Sequence, residues 1–166
     1  MATVSERSAG MAQGDGRSLK VRIATPNALI DVADGVDEVV VPTERGEVGI
    51  LADHAKLVAS LGTGILRFQK AGKVSFFVVS GGLVDVQNNA VLVLADVAES
   101  GMQIDVVRAR ESLERARKRI AGVSDDREVT TDVARALLAE QRALARLAAA
   151  EAQAAKATSA KSPSAT

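Results

Sequence analysis

Between Glu99 and Gly101 the hydrophobic pattern of the chain changes period, from alternation every two residues to recurrence every three or four. A strand turns successive side chains to opposite faces, whereas a helix brings residues three and four apart onto one face, so the change marks two structural regimes. Upstream, short runs rich in Val and Ile are separated by Gly, Asn, Asp or Pro. Leu19-Lys20-Val21-Arg22-Ile23 alternates strictly, Val36 to Val41 reads as a β-branched strand halted by Pro42, and Val74 to Val79 runs into the turn Ser80-Gly81-Gly82. Leu83 to Gln87 and Val91 to Ala95 flank Asn88-Asn89, a pair that tolerates the positive φ of a two-residue hairpin. So many short strands at this spacing point to a closed sandwich or barrel over residues 18–99, because closure leaves few unpaired edges.

Downstream, residues 100–154 read as a helical hairpin, which makes the fold class α+β. Val106, Ala109, Leu113, Ala116 and Ile120 form one narrow stripe on a first helix, which Gly122 can end. Ser124-Asp125-Asp126 supplies turn and cap residues. A second helix follows to about Ala154, with Val133, Leu137, Leu144 and Leu147 on its apolar side. The short connection implies antiparallel packing. A stripe this rich in Ala buries little, since each buried CH₂ contributes only about 0.8 kcal/mol, so the hairpin is expected to be loosely attached. Residues 1–17 read as a disordered arm without the apolar stretch of a signal peptide, and residues 155–166 as a solvated tail.

Function classes are narrowed mainly by what the residues lack. The chain is 47% hydrophobic but only 2% aromatic, which suits close-packed sheets better than a roomy ligand pocket. Its 21 basic and 21 acidic side chains cancel, so no net field draws it to nucleic acid or to an anionic membrane. No segment has the roughly 20 apolar residues of a membrane-spanning helix, so any membrane role is expected to run through partners. Cysteine is absent, which excludes disulfides and thiolate metal sites and fits a reducing compartment, with the cytoplasm as the default. Gly62-Thr63-Gly64 lacks the rest of a dinucleotide fingerprint, and no Gly-Lys-Ser/Thr triplet exists. His54 is the single histidine, and Asp37-Glu38, adjacent in a strand, point to opposite faces. No catalytic residue and no metal ligand is assigned. The cationic face of the first helix, with Arg108, Arg110, Arg115, Arg117, Lys118 and Arg119, reads first as a solvated face, and its sharper readings are an anion site or a docking surface for acidic segments.

Two blocks in order carry a resemblance. Val39-Val40-Val41-Pro42-Thr43 is followed by Gly46-Glu47-Val48-Gly49-Ile50-Leu51 and His54. Later, Phe76-Phe77-Val78-Val79-Ser80-Gly81-Gly82 leads through Val84, Val86 and Asn89 into Val91 to Asp96. Together they resemble the epsilon subunit of bacterial F-type ATP synthases. The resemblance implies a non-catalytic central-stalk subunit that turns with the gamma subunit and the c-subunit ring, at the cytoplasmic face of the membrane. It also implies contact with the alpha and beta subunits when the hairpin is extended, and a regulatory brake on ATP hydrolysis. By the same resemblance, the turn from Glu47 to His54 lies against the ring. Ile104-Asp105-Val106-Val107-Arg108-Ala109 and Arg142-Ala143-Leu144-Ala145-Arg146-Leu147 are similar to segments with which some bacterial members bind ATP. That similarity makes Glu99, Asp105, Arg108, Arg115, Arg142 and Arg146 the candidate ATP contacts, with ATP as a regulatory ligand rather than a required cofactor. The arm and the Ala/Lys tail extend past the family's usual ends. The alternative is a free-standing nucleotide-sensing β-sandwich module, distinguished by whether gamma, alpha and beta subunits co-purify.

Overall fold

Strict alternation decides the first strand: in β1 (Leu19–Thr25) Leu19, Val21 and Ile23 are buried while Lys20 and Arg22 face out. The chain continues through β2 (Ala28–Val36), β3 (Glu38–Thr43), β4 (Gly46–Leu51), β5 (Leu57–Ser60), β6 (Gly64–Lys70), β7 (Lys73–Ser80), β8 (Leu83–Gln87), β9 (Ala90–Leu94) and β10 (Val97–Ser100). A 3-10 turn at Gly101–Gln103 leads to α1 (Val106–Ile120), and α2 spans Val133–Ser159. The computed structural model describes residues 18–122 and 133–159; the arm, the Ser124-Asp125-Asp126 turn and the end of the tail lie outside the described residues.

The strands form two five-stranded sheets, one ordered β2-β1-β9-β8-β5 and the other β10-β7-β6-β3-β4. All pairings are antiparallel except β1 with β9, which runs parallel from Lys20↔Ala90 to Ala24↔Leu94. The inner faces meet in one core of Val, Leu and Ile, with Phe68 stacked on Phe77 at 5.7 Å between ring centroids. Asn88 and Asn89 take φ of 50° and 60° and close the β8–β9 hairpin, as their types predict.

Three strand assignments change. Val36 closes β2, and the valine run belongs to β3, which continues through Pro42 to Thr43 instead of stopping there. Pro42 pairs with Glu47 of β4, and on its other side its carbonyl accepts the Gly62 N–H at 3.1 Å, a bond that asks no N–H of proline. The segment from Glu47, read by resemblance as the start of a turn, is edge strand β4, laddered on β3 from Thr43↔Gly46 to Glu38↔Leu51. Only the residues just after Leu51 turn, with Asp53 at φ 62°. Finally, the continuous apolar run of β7 reflects burial on both faces: Phe77 and Val79 enter the core, while Phe76 and Val78 lie under the hairpin.

α2 lies on the outer face of the second sheet, over β6 and β7, and packs beside α1. Arg117 near the end of α1 meets Glu140 early in α2 at 3.0 Å, the pairing of an antiparallel hairpin. On α1 the expected stripe is buried at its centre, Ala109, Leu113 and Ala116, and Gly122 at φ 70° follows the last turn. α2 departs from expectation. Its buried positions are Ala136, Ala143 and Ala149, whereas Val133, Leu137 and Leu144 are 51%, 45% and 44% exposed and Leu147 is half-buried. Close approach of α1 and the sheet selects the small residue and turns the leucines outward. α2 also continues past Ala154 to Ser159.

Candidate functional site: the cleft beneath the hairpin

Where α2 crosses the second sheet it leaves a cleft of about 310 Å³. Its floor is Val78, Ser80, Val97 and Glu99, on β7 and β10; its roof is Ser112 of α1 and Ala139, Arg142, Ala143 and Arg146 of α2. Glu99 reaches it because strand parity turns Glu99, opposite Val78, to the outer face of the sheet. Arg142 and Arg146 reach it together because residues four apart share a helix face. Arg146 donates through Nε to Glu99 Oε2 at 2.6 Å, and its Nη2 forms the ion pair with the same oxygen at 2.6 Å.

Of the six candidate ATP contacts, the structure gathers Glu99, Arg142 and Arg146 at this cleft. The other three serve α1. Asp105 is its N-cap, accepting the Arg108 N–H at 3.1 Å, and the exposed Arg108 guanidinium folds back on the same carboxylate at 3.4 Å. The spacing Asp105-x-x-Arg108 is therefore the spacing of a capped first turn. Arg115 pairs with Glu111 at 3.7 Å and donates to Ser112 Oγ at 3.0 Å, which places it behind the cleft wall.

Sequence reasoning passed over Ser80, Thr63 and Ser112. Ser80, read as a turn residue, is buried, and its Oγ lies 2.7 Å from Thr63 Oγ1. Both hydroxyls line a neighbouring cleft of about 500 Å³ that shares Arg142 with the first and is bordered by Glu44, Asp96 and Gln141. The signal was that Ser80 ends a strand buried on both faces, so its hydroxyl had to find a partner.

Glu47 and His54 do not form one surface turn. Glu47 is near the start of β4 and pairs with Arg67 of β6 at 3.3 Å; His54 lies beyond the other end of β4, its Nδ1 2.8 Å from Ala55 O. Among the described residues nothing packs on the outer face of the first sheet, which is partly apolar: Leu29, Val32, Val58, Leu83 and Leu94 are exposed on it, interrupted by Arg22 and Asp85.

Among the described residues there is no cluster of metal-ligating side chains and no helix long and apolar enough to cross a membrane. Among the described residues, a valine-cored sandwich wears a helical hairpin on the outer face of one sheet and carries no element on the outer face of the other, a β-sandwich-plus-hairpin class of fold. The chain belongs to the ATP synthase delta/epsilon chain family. Residues 18–101 match that family's β-sandwich domain and residues 103–151 its long α-helix domain. The ATP synthase epsilon chain of Carboxydothermus hydrogenoformans is 47% identical over 103 residues, 62% of this chain and 76% of the relative. That of Desulforamulus reducens is 40% identical over 135 residues, 81% of this chain and 98% of the relative. In fold, the chain resembles one in the Euglena gracilis mitochondrial ATP synthase OSCP/F1/c-ring structure, with TM-score 0.68 and 23% identity over 89% of this chain and 90% of that one. It also resembles one in the Tetrahymena thermophila central stalk/c-ring structure, with TM-score 0.54 and 16% identity over 81% and 97%. The chain is accordingly a non-catalytic subunit of a membrane-associated complex, which sets the free-standing module aside.

Proposed function

We propose that the chain is a central-stalk rotor subunit that couples gamma to the c-subunit ring at the cytoplasmic face of the membrane, with a hairpin that restrains ATP hydrolysis when it leaves the sandwich. The observation that carries the regulatory half is the inverted apolar pattern of α2. Val133, Leu137 and Leu144, one stripe on one helix face, stay in water while alanines make the packed contacts. A leucine stripe left bare beside an alanine seam suits a helix with a second seat, and the alpha and beta subunits supply that seat in the extended arrangement. At about 1.5 Å per residue, the 27 residues of α2 span roughly 40 Å once released. ATP is the regulatory ligand of the cleft beneath the hairpin and biases it toward the compact arrangement. The uncovered face of the first sheet is the surface offered to gamma.

The coupling half is tested by cross-linking in the assembled synthase, made clean by the absence of native cysteine. Glu47 and His54 flank opposite ends of β4, so the two positions sample both ends of that edge strand. Glu47→Cys and His54→Cys are each expected to join the c-subunit loops. Cross-links from neither, or only to alpha or beta, would overturn the ring contact.

A further inference from the structure

The helix side of the joint between hairpin and sandwich is made largely of small residues. Gly101 is buried where a Cβ would come within 3.0 Å of Phe76 O and 3.4 Å of Ala149 O, and Ala143 and Ala149 complete the contact along α2. These alanines fix distance but themselves contribute little apolar burial beside Phe76 and Val78. A polar tie across the joint is the Arg146–Glu99 pair, in which Glu99 Oε2 accepts the Arg146 Nε–H at 2.6 Å and lies at the same distance from Nη2, with the two side chains partly buried. Charge-assisted hydrogen bonds of this kind are among the strong ones, and partial burial reduces their screening.

We propose that Glu99 is a built-in counter-anion: it pins α2 to the sandwich through Arg146, and it occupies the seat that an external polyanion must take to reach that arginine. Glu99 therefore opposes the ligand it was expected to bind. The pin stands on geometry alone, while the competition rests on the ligand reading above. An anion entering the cleft meets Arg142, which has no carboxylate within ion-pairing distance among the described residues, but Arg146 is already neutralised. To use both arginines the anion must expel a carboxylate and leave it facing like charge. The compact hairpin is thus closed without ligand, and anion affinity is held down by the same contact.

These two roles predict opposite effects of one substitution. In the full chain, Glu99→Gln and Arg146→Gln are each expected to speed hydrogen exchange of the α2 amides from 142 to 154 about tenfold, the scale of a lost charge-assisted bond. Amides of β1 and β9 serve as the internal standard for an intact sandwich. Exchanging the partners, Glu99→Arg with Arg146→Glu, is expected to restore most of the protection. In calorimetry with sodium tripolyphosphate, Glu99→Gln is expected to bind about tenfold more tightly than the unaltered chain. Unchanged exchange in both single variants, or no recovery in the exchanged pair, overturns the pin. Equal or weaker tripolyphosphate binding by Glu99→Gln overturns the counter-anion role. Absence of heat from both proteins, with the exchange pattern as expected, upholds the pin and removes the competition together with the ATP reading.

Discussion

The turn between β7 and β8 rests on two glycines whose roles are steric. Gly81 and Gly82 take φ of 67° and 92°, and a Cβ on Gly82 would collide with the Leu94 carbonyl and come within 2.9 Å of Ala95 Cα. Backbone cannot retreat as a flexible side chain can, so strain and collision add. Gly82→Ala is expected to destabilise the sandwich by at least about 2 kcal/mol, read as a lowered urea midpoint with an unchanged slope. An equal midpoint would show that the turn relaxes without cost. At the same scale, Asp105 and Arg108 show how a motif reached by resemblance can have a local physical role: one caps α1 and the other closes over the cap.

α2 is where local sequence and tertiary packing disagree. Leu137→Gln and Leu144→Gln are each expected to change the stability of the isolated chain by under about 1 kcal/mol, because each side chain is already nearly half exposed. Ala143→Leu, at a position 2% exposed, is expected to cost about 1–3 kcal/mol by forcing the hairpin off the sheet. Urea unfolding of the two variants decides it; a larger loss from the leucine pair would return the leucines to the packed face. Strands carried by alternation or by Asn-Asn turns were legible in the sequence, as β1, β8 and β9 show, because one residue type per face fixes the register. β4 was not, since resemblance presented its start as a turn and only the ladder to β3 reveals a strand. The packed face of α2 was hidden because period marks a stripe of leucines but not which stripe is buried when a second face is made of alanine. In the cleft, Arg142 and Arg146 were legible as sharing one helix face, and Glu99 was reached by resemblance among six candidates; the pairing of Glu99 with Arg146 depends on β10 and α2 meeting, which no local pattern encodes.

Taken as a whole, the molecule has a sandwich with its own core and a hairpin added to one outer face. A chain ending at Ser100 keeps all ten strands and the whole core cluster, so it is expected to retain a dispersed amide spectrum. It would also uncover Phe76 and Val78, and should bind more of a hydrophobic dye than the full chain. Collapse of the spectrum would make the hairpin part of the core. The parallel pairing of β1 with β9 governs how this architecture is born. Val21 waits for Val91, and at roughly 5–20 residues per second the ribosome takes roughly 4–14 s to make the intervening chain. β2 can shield one edge of β1 early, but the other edge keeps unpaired amides beside Leu19, Val21 and Ile23 until β9 emerges. Nascent chains paused between β2 and β9 should therefore be a preferred cargo for chaperones that bind short apolar strands.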